Sequence, residues 1–299
     1  MSLMLLKTLK KQFLNHLKND KGRSEKTLEN YNRYLEHFLW ISRLKTAEEL
    51  GVEPIKKFIT ELEKTTVFKE AAAGDNQEQK LSAKTINYHL IALRQFLRYL
   101  RERGLVDLPT NLIALKTTTK QATVLTLNDD ELSALKNVID QKTPAGRQEF
   151  LLLELMTKAG LKTVELCQLK RGDFDDKTGK LTLSGQAREI DLPASVSRKL
   201  HLYLRQRADA DSALFVRFGR KSRVGQSKSI TPRYLERVVK RLALKAGIAK
   251  SVTPQVLRHT FANNLLQSGV EIKTLQTALG HSKESVTRAY VKKLAGGES

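Results

Sequence analysis

Apolar residues recur every three or four positions over most of the first hundred residues, which is the spacing of one buried helix face. One such stripe begins near Thr27, with Ser24 or Thr27 as its N-cap, and a second begins at Pro54, a residue favoured in a first helical turn. A third stripe precedes Gly104, which is expected to end it. Between the second and third stripes, the polar stretch 64–82 is predicted to be a long, mobile loop.

The remaining residues combine this helical spacing with a short alternating pattern. Residues 181–183 and 189–192 alternate apolar and polar side chains around Ser184-Gly185, which predicts a β-hairpin. Further helices are predicted at about 128–141, 147–158, 194–208, 231–246, 254–268 and 272–279.

A polar run at 116–121, shortly after Pro109, interrupts these patterns and is the best candidate for an interdomain linker. We therefore divide the chain into a helical N-terminal domain (1–107), a linker (108–125) and a second domain of helices and strands (126–299). The predicted fold class is mainly α with a small β-sheet.

The charge of the chain gives the first indication of function. Lys and Arg total 53 against 32 Asp and Glu, which gives a formal net charge of +21. Both parts are basic, with 20 basic and 13 acidic residues up to Arg103 and 33 and 19 beyond it. Such an excess attracts polyanions, and nucleic acid is the partner that we expect. A charge that serves only solubility is the alternative.

Two absences narrow the class of protein. No run of 18 or more apolar residues occurs, so no membrane span is predicted. Cys167 is the only cysteine, which excludes an internal disulfide and fits a reducing cytosol. We therefore expect a cytoplasmic protein with no membrane partner.

The most informative residues lie near the C-terminus. Residues 253–262 read TPQVLRHTFA, residues 279–281 read LGH, and Tyr290 lies nine residues beyond His281. These blocks resemble the two C-terminal boxes of the phage integrase or tyrosine recombinase family, most closely its Xer-like bacterial members. Residues 159–166, AGLKTVEL, resemble the family's first catalytic box. The segments TLENYNRYLEHF and TINYHLIALRQFLRYL resemble its N-terminal core-binding, SAM-like domain.

The resemblance implies a specific reaction and roles for particular residues. In that family a tyrosine hydroxyl attacks a DNA phosphodiester and leaves a 3′-phosphotyrosyl link and a free 5′-hydroxyl, without ATP, metal or another cofactor. Tyr290 would be the nucleophile, Arg258 the second catalytic arginine, and His281 the residue that hydrogen-bonds a non-bridging phosphate oxygen. An arginine suits this task because its planar fork binds two phosphate oxygens at once. His259 is interpreted as a histidine that packs beside the site or supports it.

Three positions of the predicted catalytic site depart from the family's pattern. Lys162 stands where the family has its first arginine, and lysine keeps the charge but loses the fork. Gln255 stands where the second box begins with histidine, and glutamine can donate a hydrogen bond but cannot exchange protons. Gln186 stands where a hairpin lysine is expected to protonate the leaving group, a task that Lys180 or Arg188 could take instead.

The resemblance also places two basic helix faces against double-stranded DNA. Clustered lysines and arginines are what neutralising the phosphates of a duplex requires. The basic segment 217–223 is a further candidate for a phosphate clamp. The predicted DNA-binding residues are Lys84, Arg94, Arg98 and Arg101 on one helix, and Arg233, Arg237, Lys240 and Arg241 on the other.

Two functions from different classes remain open at this point. The first is an active site-specific recombinase that works as a homo- or hetero-tetramer on two DNA duplexes, which the combination of Arg258, His281 and Tyr290 favours. The second is a DNA-binding or architectural relative whose cleavage has weakened, which Lys162, Gln186 and Gln255 favour. The formation of a covalent adduct between Tyr290 and DNA distinguishes the two.

Overall fold

A computed structural model of the protein describes residues 4–70, 76–117, 124–183, 188–218 and 229–295. The chain forms two compact units, Met1–Gln121 and Ala122–Ser299, each with its own hydrophobic core. Helices predominate in both units, and the strands form two small antiparallel sheets. The predicted fold class, mainly α with a small β-sheet, is confirmed. No helix in the described ranges is both long enough and apolar enough to cross a bilayer.

The first unit is built on four helices that bury one face each. Ser24 accepts a hydrogen bond from the backbone N–H of Thr27, so Ser24 is the cap of the second helix. The first helix was not predicted: it carries the same apolar spacing, but no side chain caps its start. The helices are α1 (Leu6–Asn19), α2 (Glu25–Ser42), α3 (Val52–Lys64) and α4 (Ala83–Arg101).

The polar stretch between α3 and α4 is a β-hairpin, so the prediction of a long loop is wrong. Strands β1 (Thr66–Glu70) and β2 (Asn76–Lys80) pair antiparallel, with Thr66 opposite Lys80. Thr66 also donates a hydrogen bond of 2.6 Å to the carboxylate of Glu78. The prediction failed because it used polarity as the loop signal, whereas the β-branched and aromatic run from Thr65 favours a strand even on an exposed surface.

The second unit surrounds a larger core with eight helices and a three-stranded sheet among its described residues. Its first three helices precede the sheet and the other five follow it. The helices are α5 (Asp129–Asn137), α6 (Pro144–Lys158), α7 (Thr163–Gln168), α8 (Ala194–Arg205), α9 (Pro232–Lys245), α10 (Pro254–Gln267), α11 (Ile272–Leu279) and α12 (Glu284–Ala295). The strands are β3 (Phe174–Asp175), β4 (Lys180–Leu183) and β5 (Arg188–Asp191).

The predicted hairpin is present as β4 and β5, and its register assigns each side chain to a face. Leu181 pairs with Ile190 and Leu183 with Arg188, so these four side chains share one face. Leu181 and Leu183 are buried, so this face is directed inward. Lys180 lies on the opposite face, where its side chain forms an ion pair with that of Glu189. Gln186 lies outside the described residues.

A small apolar cluster joins the last three helices. Phe261 on α10, Leu275 and Leu279 on α11 and Leu294 on α12 are buried together. Tyr290 packs against this cluster. The cluster therefore holds α12, with the predicted nucleophile, against the helix that carries the TPQVLRHTFA block.

Candidate active site

Helix α10 presents two predicted catalytic residues, Gln255 and Arg258, and the neighbouring His259 on one face. Gln255, Arg258 and His259 are spaced three and four residues apart, which places them on the same side of the helix. The helix begins cleanly because Pro254 occupies its first turn and the Thr253 side chain accepts a hydrogen bond from the backbone N–H of Val256. Gln255 is exposed, whereas Arg258 is buried.

Arg258 is held by two backbone carbonyls from different segments. Its guanidinium donates to the carbonyl oxygen of Gly160, and at 2.5 Å to that of Leu279. Gly160 has a φ of +60°, a conformation that side chains disfavour, and a Cβ there would clash with the ring of Phe261. A glycine at 160 is therefore required for its carbonyl to reach the arginine.

Lys162 lies immediately before α7 and reaches the same region. Its Nζ donates to the carbonyl oxygen of Gly280 at 3.2 Å and lies 3.5 Å from the carboxylate of Glu165. Gly280 has a φ of +57° and ends α11 in the left-handed conformation. Glu165 is buried and accepts a 2.6 Å hydrogen bond from the backbone N–H of Lys162, which fixes the start of the short helix.

Tyr290 is half-buried between two histidines. Its hydroxyl forms a hydrogen bond with Nδ1 of His259, and the two rings are tilted by 30° with centroids 5.2 Å apart. The ring of His281 meets the tyrosine ring edge-on, at 85° and 5.7 Å. Nδ1 of His281 is 3.0 Å from the hydroxyl of Thr287, which is fully buried. One ring nitrogen of His281 is thus occupied, which leaves Nε2 as the atom that a phosphate oxygen would contact.

Burial and the positive charge of Arg258 set the protonation states of these rings. Burial raises the pKa of Tyr290 to about 12, although the nearby guanidinium of Arg258 favours the phenolate. Burial, and secondly the charge of Arg258, lowers the pKa of His259 to about 4. Burial, followed by the charges of Arg258, Lys162 and Arg188, also lowers the pKa of His281. In the free protein at neutral pH, Tyr290 is therefore a phenol and His259 a neutral imidazole.

The structure brings most of the predicted catalytic residues together. Arg258, His259, His281 and Tyr290 lie in one cluster, and Lys162 reaches its edge through Gly280. The exposed Gln255 forms no hydrogen bond or ion pair with this cluster among the described residues, although it shares the face of α10. The same described ranges contain no group of three or more His, Cys, Asp or Glu side chains arranged to hold a metal ion.

Two residues of the cluster did not enter the predicted site. Glu165 contacts both Lys162 and Arg188, and its spacing of three residues after Lys162 was the only signal for it. Arg188, weighed only as a substitute for the hairpin lysine, donates a 2.7 Å hydrogen bond to the carbonyl oxygen of Ala278. Arg188 could have been found from the alternating pattern of β5, because that pattern places it on the same face of the sheet as Ile190.

The residues predicted to bind DNA lie on α4 in the first unit and on α9 in the second. On α4, three of the four predicted residues are exposed and Arg94 is half-buried. On α9 all four are exposed, and Arg241 pairs with Glu149 at 2.5 Å. Part of the basic segment 217–223 lies outside the described residues. The exposed residues are Lys84, Arg98, Arg101, Arg233, Arg237, Lys240 and Arg241.

Substitution of Gly160 is expected to destabilise the protein. Gly160→Ala forces a side chain into a left-handed conformation and against Phe261, so the free energy of unfolding should fall by about 2 kcal/mol or more in urea titrations. Gly172→Ala is the matched control, because a Cβ at 172 meets nothing within 4 Å and the change should stay within about 0.5 kcal/mol. Equal stability of the two variants would contradict the role assigned to Gly160.

Acidification is expected to destabilise the protein through His259. Its pKa is 6.5 in an unfolded chain and about 4 in the folded protein, so the unfolded chain binds the proton first as the pH falls. Stability should therefore decline from about pH 6.5 towards about pH 4. The decline should be smaller in His259→Asn, measured as the difference in free energy of unfolding between about pH 7 and about pH 5. Identical differences in variant and wild type would refute this.

Two family models match the chain. One, described as "Phage integrase family", matches residues 125–296, and the other, "Phage integrase, N-terminal SAM-like domain", matches residues 11–104. Among curated proteins, a tyrosine recombinase XerC of Bacillus licheniformis is 27% identical, over 93% of this chain and 89% of its own. A tyrosine recombinase XerA of Thermococcus kodakarensis is 29% identical, over 91% and 86%.

Solved structures of similar fold accord with these matches. The Tn1549 transposon integrase in complex with a circular intermediate DNA has a TM-score of 0.67 and 17% identity, and the match covers 97% of this chain and 95% of that one. The XerH site-specific recombinase bound to a palindromic difH substrate has a TM-score of 0.66 and 20% identity, covering 95% and 81%. Because the phage integrase model spans more than half of its residues, this chain belongs to the phage integrase family.

Proposed function

We propose that this protein is a site-specific DNA recombinase that cleaves and rejoins DNA through a 3′-phosphotyrosyl intermediate on Tyr290. The observation that carries the proposal is the position of the Tyr290 hydroxyl, which is bonded to His259, next in sequence to the buried Arg258. The names of its relatives support the reaction class, since they are tyrosine recombinases. Complexes of the similar folds with DNA support a duplex as the substrate.

The proposed cleavage exchanges one phosphodiester bond for another. The Tyr290 oxygen bonds to phosphorus as the bond from phosphorus to the 5′ oxygen breaks. The phenol loses one proton and the leaving 5′ oxygen gains one. A second 5′-hydroxyl reverses these steps on another strand, so the phosphotyrosyl link conserves the bond energy and no ATP is consumed. The negative charge that develops on the non-bridging oxygens of the phosphate is what Arg258 and His281 would stabilise.

His259 would orient the nucleophile rather than deprotonate it. Its pKa of about 4 lies far below the pKa of about 12 of Tyr290. Full transfer of the phenol proton to His259 in the free protein would therefore cost on the order of 10 kcal/mol. In the tautomer that carries its proton on Nε2, the neutral ring accepts the phenol hydrogen bond at Nδ1 and thereby orients the oxygen for attack. The proton would leave only as the new bond to phosphorus forms.

Recombination between two duplexes sets the expected number of protomers. Four strands must be cut and rejoined, and each protein chain offers one Tyr290. A tetramer, of identical or related chains, would supply one nucleophile for each strand. This assembly is part of the proposal, as are the DNA contacts of α4 and α9.

The covalent intermediate gives a direct test. With duplexes that are nicked beside a candidate site, so that the released fragment diffuses away, the wild type should form an adduct that survives a denaturing gel. Tyr290→Phe should abolish it, because the ring remains without its nucleophilic oxygen. Tyr31→Phe, which removes a phenol hydroxyl from α2 in the other unit, is the control and should leave the adduct intact. Tight DNA binding with no adduct from the wild type would instead favour the architectural alternative.

The basic face of α9 leads to a prediction about salt. If Arg237 neutralises one phosphate, Arg237→Ala should weaken binding equally for all sequences and lower the slope of log affinity against log salt by about 0.9. Arg205→Ala, an exposed arginine on α8, is the control and should leave the slope unchanged. Fluorescence anisotropy over a salt series measures both. An unaltered slope for Arg237→Ala would remove this residue from the proposed interface.

A further inference from the structure

The carboxyl end of α11 gathers three cations from three separate segments. The carbonyl oxygens of residues 278–280 accept hydrogen bonds, in order, from Arg188 on β5, Arg258 on α10 and Lys162 before α7. The two preceding carbonyls of the helix, at 276 and 277, bond to backbone N–H groups of the turn that follows. Carbonyls at the end of a helix have no partner within it and carry partial negative charge, so they stabilise cations placed there.

The cations of this cluster outnumber the acidic groups that neutralise them. Glu165 is the carboxylate that the described residues bring to Lys162 and Arg188, at 3.5 and 3.9 Å. Three cations and one carboxylate leave a formal charge of +2. A phosphodiester carries one negative charge, and attack by a phenolate oxygen adds a second. The excess charge of the cluster therefore matches the charge of the transition state.

Arg188 contributes an unsatisfied guanidinium to this cluster. Only 12% of its side chain is exposed, and Nη2 bonds to Ala278. Nη1 is buried without a hydrogen-bond partner, and so is the Glu165 oxygen that faces it, because 3.9 Å is too long for a bond. Buried donors without partners are rare and costly, so an acceptor that reached Nη1 would gain a strong, charge-assisted hydrogen bond.

The register of the sheet distinguishes Arg188 from the other cation of the hairpin. Arg188 shares the inward face with Leu183 and Ile190, whereas Lys180 is on the outward face and pairs with Glu189 at 3.2 Å. The charge of Arg188 also acts on Arg258 and His281, since it lowers the pKa of both, though less than burial does. Of the two hairpin cations, Arg188 is thus the one within reach of the Tyr290 site.

We infer that Arg188 binds a non-bridging oxygen of the scissile phosphate and supplies the second guanidinium of the pocket. This inference rests on the proposed function. Lys162, at the position where the resemblance leads us to expect an arginine, offers a point charge without the planar fork. Arg188 comes from a different element and is anchored on the same helix end, so the pair Arg188 and Arg258 presents two forks to one phosphate. Lys162 then adds charge without needing to position an oxygen.

Arg188→Lys tests the role in the full-length protein on nicked duplexes. It keeps a cation but removes the fork, so the rate of Tyr290 adduct formation should fall about 100-fold, as for loss of one donor to a developing oxyanion. The second substrate is a methylphosphonate duplex, in which a methyl group replaces one non-bridging oxygen at the scissile position. On this substrate the rate of adduct formation by Arg188→Lys should be no more than about threefold below that of the wild type. Arg198→Ala, which removes an exposed cation from α8, should cleave both substrates like the wild type.

Two further measurements keep the test decisive. Lys162→Arg alone leaves Arg188 untouched, and it should change the wild-type rate by less than about threefold, because two forks are already present. In the Arg188→Lys background, Lys162→Arg should raise the rate of adduct formation by at least about tenfold. An acceleration of about tenfold or more by Lys162→Arg alone would show that the pocket lacks a second guanidinium, and would overturn the inference even if Arg188→Lys failed to fold.

The possible failures are distinguishable. Equal losses on the phosphodiester and the methylphosphonate would mean that Arg188 is only structural, and an unchanged rate in Arg188→Lys would mean that it has no role. If the wild type forms its adduct normally, either result overturns this inference and leaves the proposed function standing. A wild type that forms no Tyr290-dependent adduct would overturn both.

Discussion

The helix end at residues 278–280 is the constraint on which the candidate site depends. Its carbonyl oxygens fix Arg188, Arg258 and Lys162, which come from segments far apart in the sequence. Bringing cations together inside a protein costs free energy through mutual repulsion and lost hydration. Partial negative charge at the end of α11 offsets part of that cost, and Glu165 offsets more. What remains is an excess of positive charge that is fixed in place in the free protein.

Tyr290, the proposed nucleophile, depends on the same helix through packing. The buried face of α11 joins Phe261 of α10 and Leu294 of α12 in one apolar cluster, against which Tyr290 rests. The apolar residues of α11 that pack near Tyr290 are thus within one helical turn of the carbonyls that bond to the cations. A displacement of α11 would move the charges and the nucleophile together, so the geometry of attack depends on the stability of this small cluster as much as on the charged residues.

Much of this arrangement was accessible from the sequence. The stripes that begin near Thr27 and Pro54 and the alternation around Ser184-Gly185 predicted real helices and a real hairpin, because local spacing reflects burial directly. The hairpin β1–β2 was missed because polarity and strand propensity give opposite signals there, and its side chains at 66–67 and 78–80 are exposed. The pocket was predictable only in part: a motif names Arg258 and Tyr290, but no local pattern indicates that a carbonyl at 278 will hold Arg188.

The residues that depart from the family's pattern need not mean a weakened pocket, since a phosphate responds to charge and donor geometry rather than to the strand that supplies them. Lys162 lacks a guanidinium, whereas Arg188 brings one to the same helix end, where the two residues bond to the carbonyls of Gly280 and Ala278. Gln255 is exposed, while His259, one turn further along the same face of α10, contacts the nucleophile. In each case another residue lies nearby: Arg188 bonds to the same helix end as Lys162, and His259 is one helical turn from Gln255. If the proposal holds, the positions where the cations are anchored matter more for this site than the residue types at fixed positions in the sequence.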